Sequence, residues 1–125
     1  MHTGVGATRR FLAEHAGEAK AFLKAYVEGL YHFRANREFG VRTIGRYART
    51  GDQEVLAEAY ERYGLRYMEI PPHIHRRSIQ GILEQLTGTF PEARAADPER
   101  FRDARFMEEL EREGFFKALE RSYRR

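Results

Sequence analysis

A chain of 125 residues that is 42% hydrophobic and 33% charged carries enough apolar material for one folded domain, and too much for a disordered one. It contains no cysteine, which excludes disulfides, thiolate nucleophiles and cysteine-ligated zinc or iron–sulfur centres. The net charge of +3 comes from 22 bases and 19 acids that alternate, as in "EAYERYGLRYME" and "MEELEREG". Such interleaving marks solvated helix faces, whereas a nucleic-acid footprint needs clustered bases, so no nucleic-acid partner is expected.

The opening "MHTGVGATRR" has no basic segment leading into an apolar one, so it does not read as a signal peptide. "TGVGA" at 3–7 allows at most one short N-terminal strand. Thr8 is placed to cap a first short helix, "RRFLAEH", which "AG" at 16–17 interrupts. A longer helix follows from Glu18, with Phe22, Leu23, Tyr26, Val27, Leu30 and Phe33 recurring at three- and four-residue spacing as a stripe to be buried. Asn36 ends that helix or caps the next, "REFGVRTIGRY", whose Phe39, Ile44 and Tyr47 fall near one face while Gly40 and Gly45 weaken it.

"TGDQE" reads as a turn with Asp52 as N-cap, followed by a helix striped with Val55, Leu56, Ala59, Tyr60 and Tyr63. Tyr60, Tyr63 and Tyr67, at i, i+3 and i+7, fit one helix edge, most simply as the rim of a core. Pro71 and Pro72 must break the chain, since neither donates an N–H and each restricts the residue before it. Ile79, Ile82, Leu83 and Leu86 then make a helix that stops near Gly88. "TGTFPEARAADPERF" is the one long irregular connection, with Asp97 and Pro98 as a helix start inside it. Asp103 is placed to cap "ARFMEELEREG", Gly114 to take its C′ position, and "FFKALERSY" closes the chain. The expected architecture is a single helical domain over residues 1–125, all-α, with about six helices.

The residues offer little chemistry. His73 and His75 in "IPPHIHRRS" would face one metal if the segment is extended, but only Glu69 and Glu84 lie near by sequence, and neither has a ligand spacing. We therefore expect a proline-bounded helix entrance and no metal. His2, His15 and His32 share no i,i+4 relation, Ser78 and Ser122 lack a nucleophile-elbow context, and "GVG" at 4–6 lacks the rest of a dinucleotide fingerprint. "EELERE" at 108–113 is read as a solvated face. No catalytic residue or cofactor is expected.

The order of segments "RRFL", "AFLKAYVEG", "DQEVLAEAY", "IPP…SIQGILEQL" and "ADPERFRDARFMEELEREGF" resembles the C-terminal portion of the NMT1/THI5-like (nitrate/sulfonate/taurine-type) substrate-binding proteins of ABC importers, over roughly residues 7–119. The resemblance implies the helical C-terminal subdomain of a type 2 periplasmic-binding-protein fold. It implies a non-catalytic role in capturing a small anion, sulfonate or pyrimidine, with an ABC permease as the partner of the full-length family. Complete members have two α/β lobes around a cleft, and no ligand-contacting motif of theirs maps onto a position here. Without the lobes, Phe11, Phe22, Tyr26 and Leu30 would be partly uncovered, so the chain is expected to close into a bundle or pair as a homodimer through these apolar faces. The alternative is an independent helical module for dimerisation or protein interaction.

Overall fold

The computed structural model describes residues 4–124. Among these residues there are seven α-helices and no strand, so the all-α expectation holds, with one helix more than foreseen. Gly4 to Ala7 are not in a strand, and Thr3, the first residue of "TGVGA", lies outside the described residues. The helices are α1 (Arg9–Glu14), α2 (Ala16–Ala35), α3 (Arg37–Ala48), α4 (Gln53–Ala59), α5 (Arg76–Leu86), α6 (Arg105–Arg112) and α7 (Phe115–Tyr123). A π-helical segment, Tyr60–Tyr67, continues α4 without a break, and two 3-10 turns, Pro91–Ala95 and Pro98–Phe101, follow α5.

Local chemistry explains most boundaries. The Thr8 hydroxyl accepts from Phe11 N at 3.1 Å, and Asp52 accepts from Glu54 N and Val55 N at 3.1 and 3.2 Å, each satisfying donors that a helix start leaves unpaired. Gly114 takes a positive φ of 75°, a conformation glycine adopts without steric cost, and so turns the chain from α6 into α7. Three expectations need correction. The first break falls at His15, and Ala16 and Gly17 already belong to α2. Asp97 caps only a 3-10 turn, because Arg102 leaves it in an extended conformation before a second turn can form. Ala104, not Asp103, is the N-cap of α6, although the Asp103 carboxylate still accepts from Arg105 N at 3.2 Å.

The main core joins α2, α6 and α7. Val27, Tyr31, Leu110, Phe116 and Leu119 are buried there, flanked by Leu23, Tyr26, Met107 and Ile70. The buried line of α2 is thus Ala19, Val27 and Tyr31, while Phe22, on the stripe but expected to be partly uncovered without the lobes, is 53% exposed. The reason is that α6 and α7 cover one side of the 20-residue helix and leave the Phe22 side open, where Phe22 stacks on Tyr26. Lys20 fastens the α2–α6 contact by pairing with both Glu109 and Glu113, so "EELERE" is not merely a solvated face. A second, smaller core of Ile79, Leu83 and Ala93, with Ile74 and Ala96 against it, holds the two 3-10 turns on α5.

Apart from these two cores, α3, α4 and the π-helical segment pack on one another, and α3 and the π-helical segment pack against α2. Tyr60 is buried there at the crossing with Gly40 and Gly64. A Cβ on Gly40 would come within 2.6 Å of the Tyr60 ring, and one on Gly64 within 2.8 Å of the Phe33 ring. Glycine at both positions is what allows the backbones this close. Tyr47, expected on the same face as Phe39 and Ile44, is instead 80% exposed.

Candidate functional site

The expected proline break spans residues 68–75, between the π-helical segment and α5, and it places both histidines outside any helix. His75 is extended at φ −81° and ψ 138°, and its Nε2 lies 2.8 and 3.0 Å from the two carboxylate oxygens of Glu69. Both members of that pair are at least half exposed. Glu84 turns away to accept from Gln80 at 3.1 Å. Among the described residues no group of three or more His, Asp or Glu side chains is arranged to hold a metal ion. The segment is therefore a joint, closed on its outer side by a His–Glu contact.

The joint is anchored at its near end by a reciprocal clamp that the sequence did not reveal. Tyr60 Oη donates to Arg34 O at 2.7 Å and reaches Phe33 O at 3.3 Å, satisfying carbonyls in the last turn of α2. In return the Arg34 guanidinium donates to Gly64 O at 3.3 Å and to Met68 O, satisfying carbonyls at the end of the π-helical segment. Burial raises the Tyr60 phenol above its ordinary pKa, with Glu61 adding to the effect, so it stays a donor throughout the physiological range.

The π winding also redistributes the tyrosines. At about 3.6 residues per turn Tyr67 would fall beneath Tyr60, whereas at roughly 4.4 it lies nearly opposite. Accordingly Tyr60 points inward while Tyr63 and Tyr67 stand 56 and 58% exposed, their rings 6.0 Å apart. The expected common edge of three tyrosines is thus divided into one buried ring and two outer ones.

The concave surfaces are shallow. A hollow of about 510 Å³ between α3 and α4 is lined by Arg37, Glu38, Val41, Arg42, Gln53 and Leu56, and it is open to solvent. Its cations are already engaged, Arg42 with Glu38 at 3.4 Å and Arg37 with Glu61 at 3.6 Å. No buried polar or charged side chain is aimed into it. No described helix is long and apolar enough to cross a membrane.

What stands out instead is surface. A compact protein of this mass exposes about 6,900 Å², against 9592 Å² here. Part of the difference is apolar and aromatic: Phe11, Phe22, Phe39, Val55, Phe90 and Phe101 are each more than a third exposed. Comparison with protein-family models, with curated proteins and with solved structures returned no match.

Proposed function

We propose that this chain is the helical C-terminal part of a nitrate/sulfonate/taurine-type solute-binding protein, a non-catalytic module that serves small-molecule capture together with α/β lobes. The observation that carries this reading is the excess of about 2,600 Å² of surface over a compact domain of equal mass. Surface of that size, studded with phenylalanines on α1, α2 and α3, suits helices that pack on a further layer. The ordered segment resemblance over residues 7–119 names the layer: the lobes of the binding-protein fold. The shallow, internally paired hollow fits the same reading, because ligand contacts would be made mainly by the lobes. Through them the full protein would deliver its ligand to an ABC permease.

The test is to follow the reading frame into the flanking DNA, purify the polypeptide it encodes, and screen it by thermal shift. The probes are nitrate, taurine, an alkylsulfonate and an aminopyrimidine. The expected result is a longer α/β protein stabilised by one of these, while the 125-residue chain alone shifts with none. A frame that encodes no α/β sequence beside this chain would overturn the proposal.

A second reading, an independent helical interaction module, draws on the exposed Tyr63–Tyr67 pair, since paired aromatic rings suit protein contacts. It would be favoured by a frame confined to this chain.

A further inference from the structure

The fold gathers arginines that stand far apart in the sequence. Arg9 on α1 donates from Nη2 to Arg100 O at 3.1 Å, which lays its guanidinium against the second 3-10 turn. Arg76, the first residue of α5, and Arg102, just beyond that turn, approach opposite oxygens of the Glu99 carboxylate. Arg100 adds a fourth charge one residue from Glu99. Of the chain's 22 bases and 19 acids, these four arginines and this one glutamate leave equal numbers everywhere else, so the whole net charge of +3 is concentrated here. The neighbouring acids are engaged: Asp97 accepts from Glu99 N at 3.1 Å, and Asp103 pairs with Arg105 at 3.0 Å.

Glu99 fills this cluster poorly. Arg102 places both Nε and Nη2 on one oxygen, Oε2, at 3.1 and 3.0 Å, instead of forking across the two. Arg76 Nε stays 3.7 Å from Oε1, beyond hydrogen-bond length. A guanidinium has five N–H donors, so most donors of the four side chains have no protein acceptor among the described residues. The group is open to solvent, with the Arg76 side chain 62% exposed and that of Glu99 44%.

We propose that this cluster binds a phosphate group, carried by a small soluble molecule or by a lipid headgroup. A phosphate dianion brings a tetrahedral set of strong acceptor oxygens, so it can take the donors of Arg76 and Arg102 that a two-oxygen carboxylate leaves unused. Arg9 and Arg100 add charge, and the four arginines together outweigh the repulsion between phosphate and Glu99. A nucleic-acid strand fits less well, since its footprint takes about 6–10 phosphate contacts, more than four arginines supply. Nitrate and alkylsulfonates carry a single charge, so their expected silence on this chain agrees with a site for a dianion. The inference does not depend on the lobes proposed above.

Nitrogen-15 NMR of the full chain tests the site, with inorganic phosphate as titrant and ionic strength held constant by chloride. Saturable shifts are expected in the amides around residues 9, 76 and 99–102. Arg102→Gln should weaken binding about five-fold, the effect of one charge at roughly 4 Å in water. Glu99→Gln should strengthen it by a similar factor, because it removes the competing carboxylate. Arg46→Gln, on the exposed side of α3, should leave binding unchanged. Should R102Q lose helicity by circular dichroism, Arg76→Gln reads the same contact. Vesicles of phosphatidylcholine with phosphatidic acid separate the two sources: binding to them alone assigns the phosphate to a lipid, and binding to free phosphate assigns it to a soluble molecule. Absence of both overturns the inference. So does an E99Q that binds more weakly, or an R46Q that loses as much as R102Q.

Discussion

Tyr60 concentrates more structure than any other side chain, since its ring fills the gap that Gly40 opens and its hydroxyl ends α2. Tyr60→Phe keeps the ring and removes the donor, leaving the Arg34 carbonyl short of its partner. The expected cost is about 1–3 kcal/mol, read from the midpoint of urea unfolding. Gly40→Ala sets two effects against each other. Better helix propensity favours alanine by about 1 kcal/mol, but the new methyl collides with the buried Tyr60 ring. Overpacking of this kind costs about 1–3 kcal/mol, so we expect a net loss. A stabilised G40A would mean that Tyr60 can move. The sequence marked Tyr60 as the rim of a core, whereas it is buried at 2% exposure, and Gly40 as a weakness of its helix. It could not display the clamp, because the partners stand 26 and 27 residues apart and meet only when α2 and the π-helical segment cross.

Among elements, the caps at Thr8 and Asp52 were legible because a helix start is a local event, decided by a side chain and the two or three residues after it. The buried side of α2 was only half legible. Hydrophobic spacing gave a stripe, but which edge of it is covered depends on where α6 and α7 dock, some 80 residues later. That docking carries an electrostatic fastening with a defined pH window. Hydrogen bonding to Glu113, then to Glu109, raises the Lys20 pKa above its ordinary 10.5, and the bond to Lys20 lowers that of Glu113 below its ordinary 4.5. The carboxylate's contribution is complete above pH 4.5 and is lost as pH falls through the lowered folded value. The ammonium's contribution is complete below pH 10.5 and is lost as pH rises through the raised one. Urea midpoints of wild type and Glu113→Gln should therefore converge in acid and differ at neutral pH. A constant gap down to pH 2 would show that the pair contributes through packing alone.

At the scale of the molecule, the main core and the smaller core on α5 have no buried residue in common. Such units open separately, at free energies set by their own contacts. Amide hydrogen exchange should therefore be faster along residues 79–86 than along 23–31 and 107–119. Leu110→Ala, which empties a fully buried site, should cost about 2–5 kcal/mol. It should do so while leaving exchange in α5 nearly unchanged; acceleration of both together would mean that the cores are coupled. All-helical character could be read from the sequence because every long segment has helical periodicity. This division into two cores could not, since it arises because α5 packs only on its own two 3-10 turns and on no other described helix.

The π-helical segment has a geometric consequence for everything downstream of it. Each residue advances an α-helix by about 100° and 1.5 Å, and a π turn accommodates one residue more than an α turn. Residues 60–67 can thus be regarded as an α-helix holding surplus length, with the joint, α5 and its two 3-10 turns mounted on its far end. The number of residues in that segment works like the teeth of a gear: it sets the compass bearing at which α5 leaves the body. Removing Leu65 would relieve the surplus and swing α5 by roughly a quarter turn, re-aiming everything from residue 76 to residue 101 without altering a residue of it.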